Sequence, residues 1–292
     1  MNAPLPPPAT VGAALERARL GLQKSESGPL EAQVLLAHML DRPRSWILAH
    51  PEAPLPLLLA NQYMSLILRL VRGEPLAYLT GRQEFFGLSF EVTPDVLIPR
   101  PETELMVETA LRWLTSRRER TIRPARPLLA VDLGTGSGCI AASLAVHDAE
   151  LRVIATDVSA RALAVAAHNF ANLGVSNRVR LLQADLLSPL RGRIDLLCAD
   201  LPYCLAAPLM QLPVIRYEPR LALDGGPDGL RLITRALGQT ASLLAGDGLA
   251  LFEIDATHSA TARDLAHGLF PQAAVSVEKD LAGLDRLLVI RT

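Results

Sequence analysis

From Pro127 to its end, the chain alternates short apolar runs with segments of helical periodicity, and this alternation constrains the fold more than any other feature. Apolar strands separated by helices are typical of a sheet covered by helices on both faces. The pattern therefore predicts an α/β fold with a doubly wound, mostly parallel sheet. We predict strands over 128–133, 151–156, 179–182, 194–198, 249–254 and 287–290, with helices over 140–146 and 160–173.

The first part of the chain has a different pattern. From Val11 to about Arg72, apolar residues recur at helical spacing, and several prolines divide the segment into short helices. The segment carries no chemical motif, and such a module recognises a partner more often than it catalyses. We therefore interpret residues 1–80 as an N-terminal helical bundle that recognises a partner.

A linking segment over residues 81–99 separates this bundle from the α/β region. Aromatic and branched residues stand on both sides of Thr93-Pro94-Asp95. This arrangement predicts a β-hairpin with its turn at the Pro-Asp pair. A helix is expected to begin at Pro101, because proline suits the first turn and acidic residues follow at the positive end of the helix. The α/β domain is therefore assigned to residues 100–292.

The composition limits the classes of function. A formal net charge of -1 over 292 residues argues against holding nucleic acid by bulk electrostatics, so we expect no direct nucleic acid binding. The three cysteines form no CxxC pair, which indicates reduced thiols and no zinc site. Five basic residues precede the first strand of the α/β region, and we interpret them as a solvated linker: Arg117, Arg118, Arg120, Arg123 and Arg126.

Neither a signal peptide nor a membrane span is expected. The proline-rich start lacks a basic patch followed by an apolar core. The most apolar stretch, over residues 55–71, is interrupted by Asn61, Gln62 and Arg69, so we interpret it as a buried helix. We expect a cytoplasmic protein, without a membrane partner and monomeric.

A glycine-rich loop, Asp132-Leu133-Gly134-Thr135-Gly136-Ser137-Gly138, follows the first strand of the sheet and opens a helix. Glycines permit a tight turn and bring backbone N–H groups close to a ligand. The spacing is GxGxG, which differs from the GxGxxG of dinucleotide-binding proteins. In addition, Asp157 ends the second strand, where a carboxylate can accept both ribose hydroxyls. These features together resemble class I methyltransferases, whose loop wraps the aminoacyl end of S-adenosyl-L-methionine (S-adenosylmethionine).

The resemblance implies a set of cofactor-binding residues at the ends of neighbouring strands. Asp185-Leu186 follows the third strand, where such enzymes contact the adenine. The residues expected to bind S-adenosylmethionine are Asp132, Gly134, Thr135, Gly136, Ser137, Gly138, Asp157, Asp185, Leu186 and Asp200.

The tetrapeptide Asp200-Leu201-Pro202-Tyr203, called the acceptor loop below, stands at the end of the fourth strand. This edge is where ligands bind in open α/β sheets. The loop resembles the (Asn/Asp)-Pro-Pro-(Tyr/Phe/Trp) motif of methyltransferases that act on planar amino or amide nitrogens. Such a nitrogen is a poor nucleophile, and a side-chain oxygen with a backbone carbonyl can accept both its hydrogens and orient it toward the methyl group. We predict that Asp200, Leu201, Pro202 and Tyr203 are catalytic and bind the acceptor.

Further segments make the resemblance more specific. They are similar to segments of the release-factor glutamine methyltransferases (the PrmC/HemK family): 81–87, 97–104, 217–219, 222–226, 228–229 and 279–283. The similarity covers essentially the whole chain. It implies methylation of the side-chain amide nitrogen (N5) of the glutamine in the Gly-Gly-Gln tip of peptide chain release factors. It also implies that residues 1–80 help to dock the release factor, that residues 100–292 form the catalytic domain, and that Arg100 and Glu102 contribute to substrate binding.

Departures from the family pattern leave further functions open. Asp200 and Leu201 stand where family members usually have Asn and Pro, and Asp255 stands where they commonly have Gly. Asp is known at the first position in adenine-amino methyltransferases, so the chain could be an enzyme acting on nucleic acid, although the near-neutral charge weighs against it. It could also be a ribosomal-protein glutamine methyltransferase, or a catalytically silent homologue that binds release factors.

Overall fold

The structure is a computed structural model that describes residues 7–23, 25–120, 126–205 and 216–292. The chain divides into two compact units, Met1–Gly81 and Arg82–Thr292. Arg123 of the predicted basic linker and the first six residues of the proline-rich start lie outside the described residues.

The first unit is helical. Proline stands at or just before the first turn of the second to fifth helices, where its fixed φ and missing N–H are tolerated. The core includes Val11, Leu35 and Ile47, and the buried Tyr63 donates its hydroxyl to the carbonyl of Ala32 at 3.0 Å. The helices are α1 (Val11–Gly21), α2 (Gly28–Leu40), α3 (Arg44–Ala49), α4 (Leu57–Val71) and α5 (Leu76–Thr80).

The second unit begins with a hairpin whose turn differs from the predicted one. Strands β1 (Arg82–Phe85) and β2 (Leu88–Glu91) pair around Phe86-Gly87, whose φ angles are 51° and 70°. Two positive φ angles are the mark of a two-residue type I′ turn, and the Glu104 carboxylate accepts the Phe86 N–H at 2.8 Å. The prediction of the hairpin turn at Thr93-Pro94-Asp95 is wrong. That segment forms a turn, but residues 96–98 form no strand after it.

Among the described residues of this unit, seven strands form one sheet in the order β5-β4-β3-β6-β7-β9-β8. The neighbours from β5 to β7 are parallel, whereas β9 runs antiparallel to both β7 and β8. The predicted doubly wound, mostly parallel sheet is confirmed. The elements are α6 (Glu104–Arg120), β3 (Leu129–Leu133), α7 (Cys139–His147), β4 (Arg152–Asp157), α8 (Ala160–Asn172), β5 (Val179–Gln183), β6 (Ile194–Ala199), α9 (Arg231–Leu243), β7 (Leu244–Glu253), α10 (Ser259–Leu269), β8 (Ala274–Lys279) and β9 (Asp285–Arg291).

Successive strand residues face opposite sides of this sheet, and both sides are covered. Ala130, Cys198 and Leu251 pack on the side that holds α6, α7 and α8. Their neighbours Val131 and Phe252, among others, pack on the side that holds α9 and α10. The chain winds outward from β3 to β4 and β5, then returns to place β6 on the other side of β3. A crevice therefore opens at the carboxyl ends of β3 and β6, the switch point where such sheets bind ligands.

The basic residues before β3 are not all in a linker. Residues 117–120 belong to the last turn of α6, so the linker interpretation is wrong for them. Arg118 pairs with Asp148 at 2.7 Å, and Arg126 pairs with Asp195 at 2.7 Å. These ion pairs give the arginines a structural role at the end of the sheet opposite the crevice.

Candidate active site

A pocket of about 610 Å³ occupies the crevice at the switch point. The carboxyl ends of β3, β4, β5 and β6 supply most of its wall, and residues 95–99 and 219–224 contribute to its rim. Its volume lies within the range of small-molecule and cofactor sites. The parallel strands thus bring the predicted glycine-rich loop and acceptor loop to one cavity.

The glycine-rich loop lines the pocket with a backbone that other residues would not adopt easily. Gly134, Gly136 and Gly138 have φ angles of 77°, 54° and 83°. A Cβ at Gly138 would lie 2.5 Å from the ring of Phe170, and one at Gly134 would lie 3.1 Å from the Leu201 side chain. The glycines are therefore needed both for the turn and for the close approach of α8 and the acceptor loop.

Asp132 lies buried beneath this loop and outside the pocket lining. Its Oδ2 accepts the Thr135 hydroxyl at 2.6 Å and the Ala141 N–H at 3.1 Å. Among the described residues its Oδ1 has no hydrogen-bond partner. Burial raises the pKa of Asp132 to about 6. An unpaired carboxylate oxygen at this depth suits a cofactor that carries positive charge.

Asp157 ends β4 and lines the pocket directly. Its Oδ2 accepts the Gly136 N–H at 3.0 Å, and its Oδ1 accepts the Ser159 N–H at 2.8 Å. Burial raises the pKa of this carboxyl, and the backbone hydrogen bonds oppose that effect. Each oxygen can accept a second hydrogen bond. The geometry therefore fits the predicted contact with two ribose hydroxyls.

The predicted adenine-contacting pair also lines the pocket. Leu186 is buried and has a φ of 54°, an uncommon conformation for a residue other than glycine. The next N–H, of Leu187, donates to Gln239 Oε1 at 2.9 Å and holds this turn. Asp185 is exposed and pairs with Arg235 at 2.7 Å. The strained backbone at Leu186 is of the kind that occurs at ligand sites.

The acceptor loop lies directly beside the glycine-rich loop in the wall of the pocket. Asp200-Leu201-Pro202 is part of the lining, and Tyr203 follows it half-buried. Two backbone hydrogen bonds fix the loop to a second segment: Cys204 N–H to Leu223 O at 3.0 Å, and Gly225 N–H to Cys204 O at 2.9 Å. A Cβ at Gly225 would lie 2.7 Å from the Tyr203 Cα. The glycine of the 222–226 motif thus allows this close packing.

Polar residues behind the acceptor loop were not predicted from the sequence. Glu253, at the end of β7, is only 2% exposed. It accepts the Thr103 hydroxyl at 2.8 Å and the Tyr203 hydroxyl at 3.1 Å. Burial raises the pKa of Glu253, and these hydroxyl hydrogen bonds oppose the rise. Burial also raises the pKa of Asp200, and the nearby charge of Glu253 adds to it.

Arg100 and Glu102 lie beside the pocket and are not part of its lining. Arg100 pairs with the buried Glu218 at 2.6 Å, and the other carboxylate oxygen of Glu218 accepts the Ile98 N–H at 3.3 Å. This pair ties residues 97–101 to residues 217–219, two segments that both resembled family motifs. Glu102 is exposed.

Asp255, the third departure from the family pattern, has a local role. Its carboxylate accepts the N–H of Thr257 at 2.9 Å and the Thr257 hydroxyl at 2.5 Å. It thereby caps the short 3₁₀ turn Ala256–His258 that leads into α10. These hydrogen bonds explain why a carboxylate is favourable at this position.

Comparison with known proteins identifies the family. The PrmC N-terminal domain matches residues 13–81, and the methyltransferase small domain matches residues 121–204. A release factor glutamine methyltransferase of Moorella thermoacetica is 46% identical over 272 residues, which cover 92% of this chain and 93% of the relative. The chain belongs to the release factor glutamine methyltransferase family. Another member, from Bordetella pertussis, is 42% identical over 88% of this chain and 93% of that protein.

The same fold occurs in solved methyltransferase structures. A methyltransferase from Pyrococcus furiosus has a TM-score of 0.50 at 17% identity, and the match covers 77% of this chain and 98% of that one. The predicted class I methyltransferase fold and the predicted family are both confirmed. Within the described ranges, no helix is long and apolar enough to cross a bilayer, and no group of acidic, His and Cys side chains could hold a metal ion.

Proposed function

We propose that this protein transfers a methyl group from S-adenosylmethionine to the side-chain amide nitrogen of the glutamine in the Gly-Gly-Gln motif of peptide chain release factors. One observation carries the proposal: the two loops meet in one pocket. A Cβ at Gly134 would lie 3.1 Å from the Leu201 side chain and 3.3 Å from the Asp200 carbonyl oxygen. A methyl donor held by the first loop is therefore within reach of a nitrogen held by the second.

Different residues of the pocket bind the cofactor and the acceptor. S-adenosylmethionine supplies the methyl group when bound. Asp157 accepts the ribose hydroxyls, and the strained turn at Leu186 provides the wall for the adenine. In the acceptor loop, the Asp200 side chain and the Leu201 carbonyl accept the two N–H groups of the glutamine amide. The Tyr203 ring stacks on the plane of that amide. This arrangement orients a weak nucleophile before the methyl transfer.

Asp157→Ala should weaken S-adenosylmethionine binding by at least about 100-fold, because a hydrogen bond to a charged group contributes about 1.5–3 kcal/mol and two are lost. Isothermal titration calorimetry of the full chain gives the Kd. Asp247→Ala, which removes an exposed carboxylate at the far end of β7, is the matched control and should leave the Kd unchanged. An unchanged Kd for Asp157→Ala would contradict the assigned role.

The substrate is tested by incubating the protein with methyl-labelled S-adenosylmethionine and one acceptor at a time. The acceptors are unmodified release factor, the same factor with the Gly-Gly-Gln glutamine replaced by alanine, ribosomal protein, DNA and RNA. We expect label only in the unmodified release factor. Label in nucleic acid and not in release factor would instead support the alternative that Asp200 suggests, an adenine-amino methyltransferase. No label in any acceptor, with the cofactor still bound, would support the silent binder.

We further propose that the first unit docks the release factor, and that the protein acts as a cytoplasmic monomer without binding nucleic acid itself. The match of residues 13–81 to the PrmC N-terminal domain supports the first statement. The net charge of -1 supports the absence of bulk nucleic acid binding.

A further inference from the structure

Three carboxyl side chains lie in a row across the carboxyl edge of the sheet. The register pairs Asp132 of β3 with Cys198 of β6, and Ala199 of β6 with Phe252 of β7. The residues that follow in β6 and β7, Asp200 and Glu253, are therefore neighbours on strands about 5 Å apart. Side chains alternate along a strand, so all three carboxyls project to the face that α6 and α7 cover. Asp132 and Glu253 are buried, and Asp200 is partly buried and lines the pocket.

Two arginines act on the row through their charges, and each is paired with another carboxylate. Arg100, whose charge lowers the pKa of Asp200, pairs with Glu218 at 2.6 Å. Arg286, whose charge lowers the pKa of Glu253, has its Nε 3.2 Å from Asp280 Oδ2. The row thus holds more negative than positive charge in surroundings of low dielectric. Like charges in such a site cannot all be ionised, so the row retains a proton at neutral pH.

The hydrogen bonds indicate which carboxyl holds that proton. Glu253 accepts the hydroxyls of Thr103 and Tyr203, and Asp132 accepts the Thr135 hydroxyl and the Ala141 N–H. Donors of this kind stabilise a carboxylate. Asp200 also interacts with the Thr103 hydroxyl, but the single proton of that hydroxyl is directed to Glu253. Asp200 is therefore the member least stabilised as an anion.

We infer that Glu253 is a positioning residue that holds Tyr203 through its hydroxyl and keeps a proton on Asp200, so that Asp200 meets the acceptor as a neutral carboxylic acid. A carboxylic acid has one carbonyl oxygen that accepts and one O–H that donates, in the shape of an asparagine amide. Asp200 can in this way replace the Asn that family members usually carry. The identity of the acceptor rests on the proposed function, whereas the location of the proton does not.

The groups that face Asp200 determine the direction of its pH dependence. Burial and the charges of Glu253 and Asp132 raise the pKa of Asp200, and Arg100 opposes them. Burial raises the pKa of the neighbouring Cys139, Tyr203 and Cys204, so these three groups stay neutral. The other charged side chains that line the pocket are Asp95, Asp157, Asp185, Arg220, Asp224 and Arg231. Asp200 loses its proton as the pH rises through this raised pKa, so kcat/KM should fall on the alkaline side. Glu253→Gln removes a negative neighbour and should move that fall to lower pH.

The proton is observed directly by NMR of the full chain labelled with ¹³C at the aspartate carboxyl carbons. The Asp200 signal is assigned by its loss in Asp200→Asn. We expect it to remain that of a carboxylic acid at pH 7, and to titrate about one pH unit lower or more in Glu253→Gln. Glu278→Gln is the matched control, because Glu278 lies on β8, away from the row, and also accepts a threonine hydroxyl, at 2.9 Å. It should leave the titration of Asp200 unchanged.

Kinetics provide a second, independent readout. The fall of kcat/KM on the alkaline side, which the wild type shows, should be absent from the pH profile of Asp200→Asn, because an amide does not titrate. A titration of Asp200 near the ordinary value of about 3.9 would overturn the inference. So would an alkaline fall that persists in Asp200→Asn, or an Asp200 titration that Glu253→Gln does not move. If Glu253→Gln does not fold, the NMR titration of Asp200 in the wild type and the pH profile of Asp200→Asn still test whether Asp200 holds the proton. If Asp200 is protonated and no release factor is methylated, the proposed function fails and the inference stands.

Discussion

Asp200→Ala is expected to lower kcat for release factor methylation about 100-fold or more, because an acceptor displaced by about 1 Å loses that much rate. The S-adenosylmethionine Kd should change little, since Asp157 and the glycine-rich loop remain in place. An interaction that orients the acceptor is felt in the transition state and not in cofactor binding. Single-turnover rates with saturating release factor, together with calorimetric Kd values, separate the two quantities.

A control for this variant is available on α10, where Asp264 is exposed and distant from the pocket lining. Asp264→Ala should behave as the wild type in both measurements. Wild-type turnover in Asp200→Ala would contradict the acceptor role. A parallel loss of cofactor affinity would instead assign Asp200 to the cofactor side of the pocket.

Gly225→Ala is expected to lower kcat about 100-fold while the S-adenosylmethionine Kd is retained, for the same positional reason. The added Cβ would lie 2.7 Å from the Tyr203 Cα and 2.8 Å from the Pro202 carbonyl oxygen. Both atoms belong to the backbone, so neither can rotate aside, and the acceptor loop must move. The three nearest atoms all belong to Pro202 and Tyr203, so the displacement falls first on the acceptor loop and we expect the cofactor site to stay intact.

The same substitution at Gly246 tests the specificity of this effect. An added Cβ there meets no atom within 4 Å, and the residue lies in β7 away from the pocket. Gly246→Ala should therefore retain turnover, and thermal unfolding of both variants reports any general loss of stability. Equal turnover in the two variants would show that the acceptor loop tolerates the displacement.

The parts of the site that could be predicted are those that local pattern and parallel topology determine. A strand that ends at Asp132 and glycines, and another that ends at Asp200, share an edge in any parallel sheet. The two loops were therefore expected to lie together, and the structure places both in the pocket lining. The family resemblance added the 222–226 motif, and the structure supplies a packing reason for its Gly225.

Other features depend on contacts that a single sequence does not reveal. Thr103 and Glu253 are 150 positions apart, and they meet because α6, which begins directly after Thr103, packs against β7. Strand β8 was missed because none of its side chains is fully buried, so it lacks the apolar run that indicated its neighbours. The hairpin turn was misplaced because Pro-Asp is a strong turn signal, and Thr93 does begin a turn outside the sheet.

The close packing between the acceptor loop and Gly225 also restricts how this active site can be transplanted. The tetrapeptide and the segment around Asp224 are joined as a small parallel bridge through Cys204, with no room for a side chain between them. A protein engineer who moved only Asp200-Leu201-Pro202-Tyr203 into another α/β scaffold would leave it without this support. The transferable module is the pair of segments, and selection for a new acceptor in this family is expected to alter them together.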